Sequence, residues 1–243
     1  MPMKKDSFDI SNPYVRRARF QPAMLIALPL ALATLALSPN GIAGWGAAWS
    51  AFVFCGGTAL MAQLARDKGK SKESWLYERW SGKPTTRLLR HRDAPNKIVL
   101  SRRHKKLQAI VPDIHIPTEA EEQASPRSAD EVYDACTAYL LERTRKKEAF
   151  PLVFEENCNY GFRRNLWGMK PFGIVSSIIG CGVVISAILL DYRTGVLPSP
   201  TVIVCGAINL SLLLVWAFWL TPSWVRIPAE AFAERLLSSC ESL

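Results

Sequence analysis

Long stretches of this sequence lack charged side chains. No Lys, Arg, Asp, Glu or His occurs between Arg19 and Arg66, and none occurs between Lys170 and Asp191. A soluble core does not need uncharged stretches of this length, whereas a bilayer core about 30 Å thick does. The pattern excludes an ordinary soluble domain, a disordered chain and a disulfide-rich scaffold. It predicts an integral membrane protein with a soluble insert.

The sequence is also poor in the residues and motifs that carry out chemistry. It contains three histidines and six cysteines, and no two cysteines form a CxxC pair. Phosphate-loop, dinucleotide-binding, serine-hydrolase and HExxH strings are missing, as is the spacing of a calcium-binding loop. These absences favour a non-enzymatic protein, for which we expect no metal and no cofactor. The cysteines are then apolar fillers or free thiols.

The uncharged stretches divide into four predicted transmembrane helices, because a span needs roughly 20 apolar residues. The turn sequence SPNG separates the first two spans, and a short polar link separates the last two. The predicted spans lie at about residues 22–37, 42–65, 171–190 and 201–220. The fold class is therefore an all-α integral membrane protein, with two transmembrane hairpins flanking a small, mainly helical cytoplasmic insert.

Basic residues flank the spans on one side, and this asymmetry predicts the orientation. Lys and Arg resist translocation, so they mark the cytoplasmic side. They precede the first span, follow the second and precede the third, whereas the two links between paired spans carry only Arg193. We expect both termini and the insert to be cytoplasmic, in a bacterial inner (plasma) membrane. The predicted organisation is a basic segment at 1–21, hairpins at 22–65 and 171–220, an insert at 66–170 and an amphipathic C-terminal helix at 221–243.

The ends of the spans carry side chains typical of a lipid headgroup layer. Lys and Arg attract anionic lipids, and Trp rings favour the interface. The predicted interface residues are Arg66, Lys68, Lys70, Lys72, Arg163, Arg164, Trp167, Lys170, Trp219 and Trp224. Membrane lipids are accordingly the first partner that the sequence predicts.

Small residues recur at spacings that favour close packing of membrane helices. The spacing of four residues appears repeatedly in the second and third spans, and a polar amide, Asn209, lies near the centre of the fourth. Such an amide predicts an interhelical hydrogen bond rather than an ion ligand. The predicted packing residues are Ala47, Ala51, Cys55, Ala59, Gly173, Ser177, Gly182, Ser186 and Asn209. The spacing leaves open whether they join helices of one chain or of two.

Local signals predict a mainly helical insert. Thr118 with Glu121 and Ser128 with Glu131 have the spacing of capping boxes, which mark the starts of helices. An apolar stripe follows the second pair and consists of Val132, Ala135, Cys136, Tyr139 and Leu140. A stripe of this kind is more typical of core packing than of a ligand site.

Two segments of the insert are candidate ligand or partner surfaces. The basic run RLLRHRD contributes Arg87, Arg90, His91 and Arg92. Its histidine and His104 are predicted to be solvated members of a basic face. The polar run EENCN contributes Glu155, Glu156, Asn157 and Asn159. Carboxylates and amides suit a hard cation, but consecutive residues do not converge on one ion without a loop like that of an EF-hand.

The topology and the missing catalytic strings together favour a docking role. The predicted function is a multi-pass inner-membrane protein whose cytoplasmic insert docks a partner or ligand, as a scaffold, sensor or effector subunit. The alternative is an oligomeric pore or channel gated by the insert, since hydrophobic constrictions can gate without charges. We expect a homo-oligomer or a protein partner at the insert. Nucleic acid also fits the basic half of the insert, but lipid is favoured because no nucleic-acid-binding motif accompanies the charge.

Overall fold

The computed structural model describes residues 11–37 and 57–243, and all regular structure in these residues is helical. This confirms the predicted all-α class for the described part of the chain. A π-helical turn at Val15–Phe20 leads into the first α-helix, a second at Val215–Trp219 follows the tenth, and a 3₁₀ turn at Ser239–Glu241 follows the last. The α-helices are α1 (Gln21–Leu37), α2 (Gly57–Ser71), α3 (Glu73–Arg79), α4 (Pro84–Arg87), α5 (Lys97–Ile110), α6 (Glu119–Ala124), α7 (Pro126–Arg143), α8 (Pro151–Gly168), α9 (Lys170–Arg193), α10 (Pro200–Leu214) and α11 (Pro222–Ser238).

Three helices in the described residues are long and apolar enough to cross a membrane. They are Val15–Leu37, Lys170–Arg193 and Pro200–Trp219. Each coincides with one predicted span. The first candidate helix begins earlier than the predicted span because it includes the π-helical turn at Val15–Phe20 before α1. The predicted span at about 42–65 lies mostly outside the described residues, and only its end falls within α2.

The chain divides into two compact units. The first unit consists of the described parts of Met1–Lys72 together with Gly161–Trp224, and the second unit consists of Glu73–Tyr160 together with Val225–Leu243. The second unit is shorter at both ends than the predicted insert at 66–170, and it includes most of the C-terminal helix. Two helices, α8 and α11, supply residues to both units.

In the first unit α1, α9 and α10 pack against one another. Glycines allow the close approach of these helices. A Cβ added to Gly173 would lie 2.3 Å from the ring of Trp216, and one added to Gly180 would lie 2.9 Å from both Asn209 Oδ1 and Pro29 O. Positions 173 and 180 of α9 therefore have no room for a side chain larger than that of glycine.

The predicted packing residues divide between this contact and other places. Gly173, Ser177 and Asn209 are buried in it, and Ala59 of α2 is half-buried. Gly182 and Ser186 are exposed on α9. They follow Gly173 and Ser177, respectively, by about two and a half helical turns and therefore face the opposite side of the helix. Ala47, Ala51 and Cys55 lie outside the described residues.

Asn209 is fully buried, and among the described residues its amide has no partner for the predicted interhelical hydrogen bond: neither Oδ1 nor Nδ2 is bonded there. The amide faces Gly180 of α9, where an added Cβ would lie 2.9 Å from Asn209 Oδ1. A side chain at position 180 would therefore collide with Asn209.

The link between α9 and α10 has the hydrogen bonds of a tight, capped turn. Gly195 adopts a positive φ of 73°, its N–H donates to Tyr192 O, and Val196 N–H donates to Asp191 O at 2.9 Å. This is the Schellman pattern, which satisfies the last carbonyls of a helix. Ser199 then caps α10 by accepting from Val202 N–H, and Pro200 occupies the first helical turn. The short link thus ends α9 and starts α10.

A second close approach in the first unit joins α2 and α8. A Cβ added to Gly168 would lie 2.6 Å from Gly69 N, and one added to Gly69 would lie 2.1 Å from Asn165 Oδ1. Asn165 is fully buried and its Nδ2 donates to Ala18 O at 2.7 Å. The π-helical turn at Val15–Phe20 leaves the regular i→i−4 register, and Asn165 satisfies one of its carbonyls.

The second unit has its own apolar core. Its central residues are Leu89, Leu107, Tyr133, Cys136, Leu140, Leu236 and Leu237, all of which are fully buried. The capping box of Thr118 and Glu121 is confirmed, since each side chain bonds to the backbone N–H of the other residue. The capping box predicted at Ser128 is wrong: α7 begins at Pro126, and proline at the first helical position fixes an earlier start.

Candidate functional site

The basic run of the second unit is held by carboxylates of the same unit. Arg90 is buried and makes a bidentate pair with Asp130, from Nε and Nη2 at 2.7 Å each. Its Nη1 also donates to Ser81 O at 2.8 Å and to Asp93 at 3.0 Å. The hydrogen bonds from Arg90 to Asp130 raise its pKa and outweigh the effect of burial. The guanidinium group of Arg90 therefore links segments of the second unit to one another.

Glu122 of α6 is the central acceptor of this polar network and is 1% exposed. Its carboxylate accepts from His91 N–H at 2.7 Å, from Arg92 Nη1 at 3.0 Å and from Tyr133 OH at 2.8 Å. Burial alone raises the pKa of Glu122, but these hydrogen bonds reverse the effect and hold its pKa below the ordinary value. A buried carboxylate with several donors is a structural anchor of the loop that precedes α5.

His104 is buried and His91 is half-buried, so the prediction that both are solvated members of a basic face is wrong for His104. His104 is 9% exposed and its Nε2–H donates to Leu89 O at 2.8 Å, while His91 Nε2–H donates to Pro117 O at 3.0 Å. The two imidazole rings meet edge to face with centroids 4.9 Å apart, and His104 stacks on Tyr133 at 5.7 Å. Burial lowers the pKa of His104.

This lowered pKa predicts a pH dependence of the second unit. The unfolded chain binds the His104 proton near pH 6.5, whereas the folded chain binds it at a lower pH. The contribution of neutral His104 to stability is therefore complete above about pH 7.5 and is lost progressively as the pH drops from about 7.5 to 5. We expect the opening free energy that hydrogen exchange reports for α5 and α7 to decrease over this range, after correction for intrinsic rates.

The variant His104→Gln, which can still donate to Leu89 O, should lose most of this dependence of the opening free energy on pH. An unchanged slope in the variant would show that another group is responsible.

The other predicted partner residues do not form one surface. Arg87 approaches Glu230 at 3.5 Å, and Arg92 bonds to Glu122 and Asp130. The polar run lies along the single helix α8, where successive side chains point in different directions. Glu155 is exposed, and Glu156, Asn157 and Asn159 are partly buried, with one hydrogen bond of 3.4 Å from Asn159 to Glu156. Among residues 11–37 and 57–243, no three His, Cys, Asp or Glu side chains are grouped as metal ligands would be.

Several predicted interface residues are bonded inside the first unit. Lys170 Nζ donates to Ala217 O at 2.9 Å and Leu220 O at 3.0 Å, which satisfies carbonyls where the Val215–Trp219 turn ends. Arg163 donates to Trp224 O and lies 4.7 Å from the centroid of that ring. Arg164 is buried and donates to Asn165 Oδ1. The predicted set also includes exposed Lys68, Lys70, Lys72 and Trp219, and half-buried Arg66 and Trp167.

A cavity of about 300 Å³ in the second unit was not predicted from the sequence. Three aromatic rings and several small side chains form its walls, and one lysine and one aspartate supply its charges. Its lining residues come from α3, the segment at Lys83 to Thr85, α7, α8 and α11. They are Tyr77, Lys83, Pro84, Thr85, Asp134, Thr137, Ala138, Leu141, Tyr160, Ala229 and Phe232.

Hydrogen bonds fix the polar groups of this cavity, which we call the tyrosine cavity. Lys83 and Asp134 form an ion pair, and Thr86 Oγ1 donates to the other oxygen of Asp134 at 2.6 Å. On another wall the hydroxyl of Tyr160 donates to Glu73 at 3.3 Å and lies 3.2 Å from the hydroxyl of Tyr77. The ring of Tyr160 stacks on Phe232. A lined, pre-formed recess with a few fixed polar groups is the usual form of a small-ligand site.

The comparisons with known proteins add no further constraint on the site. No family model matches the sequence, and no curated protein or solved structure is significantly similar to it.

Proposed function

We propose that this chain is a multi-pass, non-enzymatic protein of the bacterial inner membrane, and that its second unit docks a ligand in the tyrosine cavity. The tyrosine cavity carries this proposal. Its volume of about 300 Å³ is at the lower end of the range of small-molecule sites. Its walls are mostly apolar, and hydrogen bonds hold the hydroxyls of Tyr77 and Tyr160 and the carboxylate of Asp134 in place.

The chemistry of the cavity favours binding over catalysis. No histidine or cysteine is among its described lining residues, so they contain no nucleophile paired with an imidazole base. The two histidines at the centre of the second unit are bonded to backbone carbonyls, and His115 pairs with Glu121. These imidazoles have structural roles in the unit.

A sensor is the docking role that best fits the helices around the cavity. Tyr160 lies on α8, and Ala229 and Phe232 lie on α11. Both helices also contain residues of the first unit, which includes the three helices able to cross a membrane. Pro228 interrupts the backbone hydrogen bonds of α11 between Trp224 and Ala229, whereas α8 has no internal proline. Helix α8 is therefore the element through which occupancy of the cavity can change the first unit.

The tryptophan variant Ala138→Trp tests this proposal without a known ligand. Ala138 is exposed and lines the cavity, so a side chain at this position is placed to enter the cavity, and an indole ring is large enough to occupy part of it. We expect hydrogen exchange of the full chain in nanodiscs to slow by about threefold or more in the segments that contain Tyr77, Tyr160 and Phe232. These segments are remote in sequence, and each contributes a residue to the cavity walls.

The matched control is Ala135→Trp, which adds the same ring to an exposed position of α7 outside the cavity lining. It should leave exchange in the three segments unchanged. Equal exchange in the two variants would overturn the proposal, because it would show that occupying the cavity does not engage its walls.

A further inference from the structure

We infer that the ligand of the tyrosine cavity is a zwitterion, with a carboxylate, an ammonium group and an apolar or aromatic side group. This inference rests on the proposed docking function and adds the chemical class of the ligand. Lys83 and Asp134 are the two charged residues among the described lining residues, and they have opposite signs. They form an ion pair with each other, so the cavity has no net charge.

The charge arrangement selects against ligands with a single charge. An anion that takes Lys83 leaves the carboxylate of Asp134 without its cation, and a cation that takes Asp134 leaves the ammonium group of Lys83 without its anion. An uncompensated charge at a partly desolvated site is unfavourable. A zwitterion supplies a carboxylate to Lys83 and an ammonium group to Asp134. Both residues then keep a partner of opposite charge when their own ion pair opens. Selectivity then comes from the cost of the wrong ligand as well as from contacts with the right one.

The pair is accessible enough for this exchange. The side chain of Lys83 is 49% exposed and that of Asp134 is 39% exposed, so both can separate and meet a ligand from solvent. Thr86 is buried and its hydroxyl holds one oxygen of Asp134 in place. The carboxylate position is therefore fixed, and Lys83 is the flexible partner.

The remaining walls define the rest of the ligand. The rings of Tyr77, Tyr160 and Phe232 and the side chains of Leu141 and Ala229 form the apolar walls. Aromatic and aliphatic walls of this kind favour a flat or bulky apolar group. An amino acid with an aromatic side chain combines that group with the two required charges.

Three probes of similar shape test the charge requirement. The full chain in nanodiscs is titrated with L-phenylalanine, with 3-phenylpropionate, which lacks the ammonium group, and with 2-phenylethylamine, which lacks the carboxylate. We expect L-phenylalanine to bind at least about tenfold more tightly than either analogue. Equal or tighter binding of a singly charged analogue would overturn the inference, as would a failure of L-phenylalanine to bind.

The variant Lys83→Gln tests the assignment of the carboxylate. It should reduce the preference for L-phenylalanine over 2-phenylethylamine from about tenfold to less than about threefold, because the carboxylate loses its cation. The control Lys97→Gln removes another exposed lysine that pairs with a carboxylate, Glu119, and it should keep the preference. An unchanged preference in Lys83→Gln also contradicts the inference. If no probe binds while Ala138→Trp still slows exchange as described above, the ligand class is wrong and the docking function stands. If neither effect occurs, both fail.

Discussion

Replacing Glu122 with alanine is expected to destabilise the second unit by about 3 kcal/mol or more. The change removes the carboxylate that accepts from His91 N–H, Arg92 and Tyr133 OH, and it leaves buried donors without acceptors. The loop before α5 and the helix α7 then lose their common anchor. The measurement is the opening free energy from hydrogen exchange of α5 and α7 in the full chain in nanodiscs.

The control for this prediction is Glu119→Ala on the same short helix. Glu119 is exposed and pairs with exposed Lys97 at 3.4 Å, so its removal should cost less than about 1 kcal/mol. The variant Tyr133→Phe removes a single donor and should fall between the two. If Glu122→Ala and Glu119→Ala have the same effect, the network centred on Glu122 does not stabilise the unit.

Replacing Gly168 with alanine is expected to destabilise the first unit by about 1–3 kcal/mol. The new methyl group would lie 2.6 Å from Gly69 N and 2.7 Å from Gly69 Cα. Backbone atoms cannot rotate away as a side chain can, so α2 and α8 must separate. The measurement is the midpoint of unfolding of the full chain in mixed micelles of increasing SDS content.

Gly182→Ala is the matched control for the same substitution. None of the described residues lies within 4 Å of a Cβ at this position, so the change adds no clash with them. Alanine has the higher helix propensity, and the variant should unfold at the same SDS content as the wild type or a higher one. A Gly168→Ala variant that behaved in the same way would contradict the contact between α2 and α8.

The three helices able to cross a membrane were predictable because this capacity depends on a property summed over many residues. A run without charge, long enough for a bilayer, does not require knowledge of any neighbour in space. Three predicted spans coincide with helices able to cross a membrane. The packing face of α9 was less predictable. Both Gly173 and Gly182 belong to small-residue pairs, but they lie on opposite sides of the helix, so that Gly173 is buried and Gly182 is exposed.

Tertiary hydrogen bonds set features of the second unit that local patterns did not indicate. The predicted stripe on α7 included Ala135, which is exposed, and omitted Tyr133, which is fully buried. Tyr133 turns inward because its hydroxyl donates to Glu122, a residue of another helix. In the same way Arg90 is internal because Asp130 faces it. The basic run RLLRHRD had placed Arg90 in a candidate ligand or partner surface.

The tyrosine cavity could not be predicted, because residues distant in sequence form it. Tyr77, Lys83, Asp134, Tyr160 and Phe232 belong to separate segments and share no motif. A local signal does exist on α7, where Asp134, Ala138 and Leu141 follow at spacings of four and three. That spacing places them on one helical face, but the small and polar side chains of this face are equally typical of a solvated surface.

A sensor function requires that occupancy of the tyrosine cavity reaches the first unit, and α8 is the uninterrupted helix with residues in both units. The most direct measurement is ¹⁹F NMR of the full chain labelled with fluorotryptophan in nanodiscs, because Trp167 lies on α8 and the ring of Trp224 lies against Arg163 of α8. We expect both resonances to shift in Ala138→Trp and to keep their wild-type positions in Ala135→Trp. If the Ala138→Trp variant shifts only Trp80 of the second unit, while Trp167 and Trp224 do not move, the cavity is not coupled to the membrane helices and the sensor function is wrong.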